Sequence, residues 1–139
     1  MEEGFVPLRI NKDKQEAMFK DYLVTWTPTI ALLDREGKEH YRFTGFLSPQ
    51  ELCARIILNG AKTEFDLDDH DRALAMANRV IDEYAGTFAV PEAVFYRCVV
   101  QYVSSDEAKF LREGLERLRK EFPDSEWTMR AKPYEQIDL

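Results

Sequence analysis

Apolar residues follow two different patterns along the chain, and the change falls near residue 60. In the first sixty residues, short apolar runs alternate with polar segments, as expected where strands and helices alternate. Beyond Gly60 the apolar residues recur only at three- and four-residue intervals, which predicts helices. The pattern therefore predicts an α/β segment followed by an all-α segment.

The first segment is expected to contain a strand, a helix, a β-hairpin and a second helix. In chain order these are a strand at residues 5–10, a helix at 12–22, strands at 26–34 and 39–44, and a helix from Pro49 to about Asn59. Acidic residues and Gly37 lie between the two later apolar runs and give the backbone freedom that a tight reversal needs. The predicted order is β-α-β-β-α.

The second helix of this segment has recognisable ends. Ser48 can accept a hydrogen bond from a helix-start amide, Pro49 suits the first helical position, and Glu51 supplies a carboxylate in the first turn. The pair Asn59 and Gly60 tolerates the left-handed backbone that ends many helices. We therefore expect the helix to end there.

The tail carries three apolar stripes at helical spacing. Their members are Ala73, Leu74, Ala77, Val80, Ile81 and Tyr84; then Val94, Phe95, Cys98, Val99 and Tyr102; then Leu111, Leu115, Leu118 and Phe122. Residues 104–107 (Ser-Ser-Asp-Glu) are expected to start the third helix, and Pro123 to stop it. The pattern predicts one antiparallel helix pair whose core is formed by Phe95, Val99, Tyr102, Leu111, Leu115 and Leu118.

The tail also contains a short internal sequence repeat. Residues 83–93 align with residues 121–131 at an offset of 38, with acid, aromatic, hydroxyl, aromatic and alanine recurring in order. Repeats of roughly 20–50 residues indicate stacked helical hairpins, each too thin to bury its apolar stripe alone.

The first sixty residues resemble the C-terminal half of a thioredoxin domain. The resemblance lies in the element order, in Trp26-Thr27-Pro28-Thr29 and in Gly45-Phe46-Leu47-Ser48 before the last helix. It implies a cis proline at Pro28 and a neighbouring backbone that pairs with an extended substrate segment. This role is carried over to Thr27 and Pro28, while Trp26 is either a contact residue beside them or a core residue.

The cysteines depart from that family. A complete thioredoxin domain has further elements upstream and a C-x-x-C motif, whereas this sequence has only Cys53 and Cys98, with 44 residues between them. Disulfide exchange needs an activated thiolate and a second, resolving thiol. Both cysteines fall on apolar helix stripes, so we expect core thiols and no disulfide exchange by the chain as written. A bridge between them is left open.

The tail resembles tetratricopeptide repeats. Phe95 takes the first aromatic position of that motif, Cys98 and Val99 its leucine-glycine pair, Tyr102 its tyrosine and Pro123 its closing proline. Leucines occupy the small alanine positions, which indicates a degenerate repeat. The resemblance implies binding of other proteins through a concave face, and the whole chain looks most like bacterial thioredoxin-family proteins with such a tail.

Charge and composition argue against several classes of binding partner. The net charge of -7 argues against nucleic acid or an anionic membrane, since both need concentrated Lys and Arg. No apolar run approaches the roughly 18 residues of a membrane span, and the acidic start lacks the features of an export signal. We therefore expect a cytoplasmic protein with no membrane partner.

The acidic stretch at residues 64–71 invites a metal interpretation, with five carboxylates and His70. Its spacing does not match an EF-hand loop. With Asp66 as the first ligand, Asp71 stands where the loop needs glycine and Ala77 stands where it needs the bidentate glutamate. A linker whose last acids cap the next helix is the preferred interpretation. No phosphate loop or nucleophile motif is present, and we expect no cofactor.

Two functional hypotheses follow. The first is a non-catalytic protein-interaction module, with residues 1–60 as a partial thioredoxin-like domain, 61–70 as an acidic linker and 71–139 as tetratricopeptide-like helices. The alternative is the downstream part of a thiol-disulfide oxidoreductase whose C-x-x-C lies upstream. In the resembled fold a central strand lies between the strands at 5–10 and 29–34, and its absence would leave edges that a second copy can cover. The two remaining strands could instead pair directly with each other and close the gap in a monomer. We predict the homodimer, with any further protein partner unidentified.

Overall fold

The structure is a computed structural model that describes residues 4–138. The elements are α1 (Glu16–Asp21), β1 (Thr29–Leu33), β2 (Glu39–Thr44), α2 (Pro49–Asp66), α3 (His70–Glu83), α4 (Ala89–Ser105), α5 (Lys109–Glu121) and α6 (Glu126–Ala131), followed by a 3-10 turn at Lys132–Gln136. The chain divides between Phe46 and Leu47 into two compact units. A small sheet followed by helices confirms the predicted fold class.

The predicted strand at residues 5–10 is wrong, since these residues form neither strand nor helix. Val6 is 96% exposed and Leu8 is 70% exposed. An apolar run becomes a strand only when another strand pairs with it, and no described strand pairs with residues 5–10. The predicted helix at 12–22 is present but shorter, as α1.

The predicted hairpin is confirmed. Strands β1 and β2 pair antiparallel, with Ile30 opposite Phe43 and Leu32 opposite Tyr41. Asp34 organises the turn, because its Oδ1 accepts hydrogen bonds from the Glu36 and Lys38 amides, each at 2.9 Å. Gly37 has φ +83°, a conformation that glycine adopts without strain.

The start of α2 is confirmed, but its predicted end is wrong. The Ser48 side chain accepts from the Glu51 amide, and the helix then runs through Asn59 and Gly60 to Asp66. Both Asn59 and Gly60 are buried. Burial against α3 outweighs the roughly 1 kcal/mol that an interior glycine costs a helix. Residues 61–66 are therefore helical, and only residues 67–69 connect α2 to α3.

The predicted start of the third tail helix is also wrong. Ser104 and Ser105 form the last turn of α4, which ends at Asp106 in a left-handed conformation with φ 57°. Helix α5 begins at Lys109 without a side-chain cap. Its end at Glu121, two residues before Pro123, agrees with the prediction.

The helical unit is built around a continuous core. Its largest fully buried side chains are Leu58, Leu115, Leu118, Val80, Val94, Val100 and Cys98. The predicted burial of Leu115 is confirmed. Val99 and Tyr102 are only half-buried, because Val100 takes the inward position on α4. Gly114 lets α5 approach α4 closely, since a methyl group there would lie 2.5 Å from the Cys98 sulfur.

Candidate functional site

The segment Trp26-Thr27-Pro28 lies between α1 and β1, at the entry to the hairpin. The peptide bond between Thr27 and Pro28 is cis. All three residues are exposed, and Trp26 is 70% exposed. Of the two alternatives for Trp26, burial in a core is therefore wrong. A shallow cavity of about 210 Å³ opens beside this segment and is lined by Lys12, Phe19, Thr25, Trp26 and Thr27.

Backbone hydrogen bonds hold this segment on the hairpin. The Gly45 amide donates to the Pro28 carbonyl at 2.9 Å, and the Thr29 hydroxyl donates to the Trp26 carbonyl at 2.7 Å. The Thr29 hydroxyl also lies 3.3 Å from that of Thr44 on β2. The polar backbone is thus tied to the sheet, while the Trp26 side chain remains exposed.

Arg42 on β2 holds the chain that precedes the segment. Its guanidinium donates to the carbonyl oxygens of Tyr22 and Leu23 and forms a two-bond ion pair with Glu39. The hydrogen bonds from Arg42 lower the pKa of Glu39, so the pair stays charged at neutral pH. Sequence reasoning missed this role, because the bonds from Arg42 span about twenty residues.

The hydrogen-bond pattern of the hairpin determines which groups of β1 face away from β2. Since Gly45 donates to Pro28, this pair is a hydrogen-bonded one, and antiparallel pairs alternate between bonded and non-bonded. Ile30 and Leu32 therefore bond to β2, opposite Phe43 and Tyr41. The backbone N–H and C=O groups of Thr29 and Ala31 point to the outer edge of β1. The sheet has two strands among the described residues, so this edge carries no third strand there.

The two cysteines lie on α2 and α4. Cys98 is buried, its thiol donates to the Phe95 carbonyl, and burial raises the pKa of Cys98 to about 11. It is therefore a neutral thiol at physiological pH, and its predicted core role is confirmed. Cys53 is half-buried, so its side chain is less enclosed than predicted.

The acidic stretch before α3 acts as a helix cap, as predicted. The Asp69 carboxylate accepts from the Arg72 amide at 3.1 Å, and Glu64 forms an ion pair with Arg72 at 3.2 Å. His70 packs its ring against Phe65. No group of three or more His, Cys, Asp or Glu side chains between residues 4 and 138 is arranged to hold a metal ion.

Trp127 lies at the start of α6 and packs inward. Its ring centroid lies 5.1 Å from that of Phe95, and the guanidinium of Arg130 lies 4.8 Å from the centre of the indole. Trp127 is thus half-buried against the core, in contrast to the exposed Trp26.

Comparison with known proteins bears on the first part of the chain. No helix within residues 4–138 is long and apolar enough to cross a membrane. No curated protein and no solved structure matches the chain. A family model described as a thioredoxin-like domain matches residues 2–58, which include the segment at Trp26, the hairpin and the first half of α2. Residues 2–58 are therefore similar to a thioredoxin-like domain.

Proposed function

We propose that the chain is a non-catalytic protein-interaction module whose β1 edge pairs with β1 of a second copy. The observation that carries this proposal is the direction of the Thr29 and Ala31 backbone groups, which point away from β2. Unpaired strand edges are templates for pairing with another chain. Two copies of β1 running antiparallel would join the hairpins into a four-stranded sheet.

The surroundings of β1 favour this occupant. Ile30 and Leu32 form one face of the strand, with Phe43 and Tyr41 beside them, so a second copy would extend an apolar face that already exists. The exposed side chain of Trp26 and the Thr27-Pro28 segment lie immediately before the strand and would contact the added strand or its flanking loop. A two-fold axis through the edge would make the contact self-complementary.

The helical unit suits the same role. The two segments of the sequence repeat, 38 residues apart, both begin at the end of a helix. Helix α3 ends at Glu83 and α5 ends at Glu121, and a new helix begins after each. This spacing supports a tetratricopeptide-like arrangement of helical hairpins. Such hairpins commonly present surfaces to other proteins.

A proline substitution tests the edge without disturbing the hairpin ladder. In Ala31→Pro the lost amide is one that points outward, and prolines are tolerated on such edge positions. Thr44→Pro is the matched control, because the Thr44 amide points to the outer edge of β2. Sedimentation equilibrium at micromolar concentration should give twice the 16.3 kDa chain mass for the wild type and Thr44→Pro, and the single mass for Ala31→Pro. A wild-type chain that sediments at 16.3 kDa would contradict the proposal.

A second candidate function is the downstream part of a thiol-disulfide oxidoreductase whose cysteine pair lies upstream. The match of residues 2–58 to the thioredoxin-like domain favours it. The coding sequence upstream of Met1 is the test. An in-frame C-x-x-C within roughly 60 codons would favour the enzyme, whereas its absence there would favour the interaction module.

A further inference from the structure

A groove of about 500 Å³ opens on the helical unit at α2, the start of α4 and the junction between α5 and α6. Its apolar lining comes from Phe88, Pro91, Phe122, Pro123 and Trp127. Phe88 is 84% exposed and lies in the groove lining with two prolines and two further aromatic side chains, so the apolar surface there is contiguous.

The uncompensated charge in this groove is negative. Arg55 also lines it, but its guanidinium is neutralised by Glu92 at 2.6 Å and Glu51 at 3.6 Å. Asp124 lines the groove and forms no ion pair with any described residue, whereas Glu126 is paired with Arg130. The net charge of -7 adds to the negative potential around it.

We propose that this groove binds an apolar polypeptide segment that carries arginine or lysine and belongs to a partner protein. Aromatic and proline walls would bury the apolar side chains of the segment, and the Asp124 carboxylate would pair with its cation. This inference rests on the proposed function as an interaction module, since it names the chemistry of a partner for the helical tail. It uses a surface separate from the β1 edge.

A pair of labelled peptides tests the proposal by fluorescence anisotropy. The first is a capped hexapeptide of sequence Leu-Pro-Phe-Arg-Leu-Arg, and the second has glutamate in place of both arginines. The arginine peptide should bind the full chain at least tenfold more tightly than the glutamate peptide. Asp124→Lys should weaken its binding about fivefold, in line with the size of exposed ion pairs. Asp82→Lys, an exposed acid on α3, is the matched control and should leave binding unchanged.

A second variant and its control test the apolar lining of the groove. Phe88→Ser should weaken the arginine peptide at least fivefold, whereas Met129→Ser, which removes another exposed apolar side chain outside the groove lining, should not. Phe88 and Asp124 are exposed, so circular dichroism should show unchanged helix content in their variants.

Several results would overturn the proposal. These are no binding of either peptide, equal binding of both, or equal effects of a variant and its control. If the wild type binds neither peptide and Phe88→Ser no longer self-associates, the groove contacts a second copy of the chain. That result would also overturn the proposal. Failure of the peptide to bind would not affect the proposed pairing of β1, because Ala31→Pro tests that pairing separately.

Discussion

The close approach of α5 to α4 at Gly114 can be tested by adding one methyl group. In Gly114→Ala the new Cβ would lie 2.5 Å from the Cys98 Sγ and 2.6 Å from the Cys98 Cβ. Carbon atoms in contact normally lie about 3.5–4.0 Å apart, so the two helices must separate by about 1 Å or more. Rotation of the Cys98 side chain cannot relieve the clash, because its Cβ is fixed by the backbone.

The expected cost follows from two opposing terms. Overpacking of a core typically costs about 1–3 kcal/mol, while replacing a helical glycine with alanine contributes about 1 kcal/mol of stability. The two terms leave a net loss of about 0–2 kcal/mol, and we expect the upper half of that range because the Cβ contact forces the backbones themselves apart. Urea denaturation followed by circular dichroism at 222 nm measures this change as a lower midpoint at unchanged slope.

A double-mutant cycle with Cys98 identifies the cause. Cys98→Gly removes both clashing atoms, so Gly114→Ala should become neutral or stabilising in that background. Cys98→Ala keeps the Cβ and should relieve only part of the cost. A Gly114→Ala variant as stable as the wild type, or with the same cost in the Cys98→Gly background, would show that no clash with Cys98 limits the approach of α5 to α4.

Three further predictions concern the core, the thiols and the hairpin turn. Leu115→Ala should lower the unfolding free energy by about 2–5 kcal/mol in urea titrations, because Leu115 is fully buried, and a cost below about 1 kcal/mol would contradict its position. Burial raises the pKa of Cys98 to about 11, so its thiol should react with Ellman's reagent at pH 8 only as fast as the chain unfolds; rapid labelling of the native Cys53→Ser variant would refute this. For the same reason the helical unit should lose stability between about pH 9 and 11, where the thiol ionises in the unfolded chain but not in the folded one. The hydrogen bond from His40 lowers the pKa of Asp34, so the turn should lose stability as the pH falls below about 3.8, and the Asp34→Asn variant should show no such acid transition in the amide NMR signals of the turn.

Local signals in the sequence predicted the parts of the fold that depend on near neighbours. The hairpin follows from Asp34 and Gly37, the start of α2 from Ser48, and the phase of α5 from the spacing of Leu115 and Leu118. Each of these features is decided within about four residues, by capping, turn geometry or helical period.

The features that sequence reasoning missed depend on distant contacts. The run at residues 5–10 has the composition of a strand but no described strand to pair with, and the Asn59–Gly60 stop signal is overridden by burial of α2 in the helical unit. Of the candidate site, the segment at Trp26 could be located by its motif. The bonds from Arg42 to the Tyr22 and Leu23 carbonyls, and the outward direction of Ala31, required the register of the sheet.

Amide hydrogen exchange at Ala31 tests the central claim most directly, with Ile30 as an internal control. The Ile30 amide bonds to β2 within one hairpin, whereas the Ala31 amide points outward and is protected only if a second strand pairs with it. If two β1 strands pair, Ala31 is protected nearly as well as Ile30 at high micromolar concentration and loses that protection on dilution. Exchange of Ala31 at the rate of an unpaired amide at every concentration, with Ile30 protected throughout, would contradict the pairing.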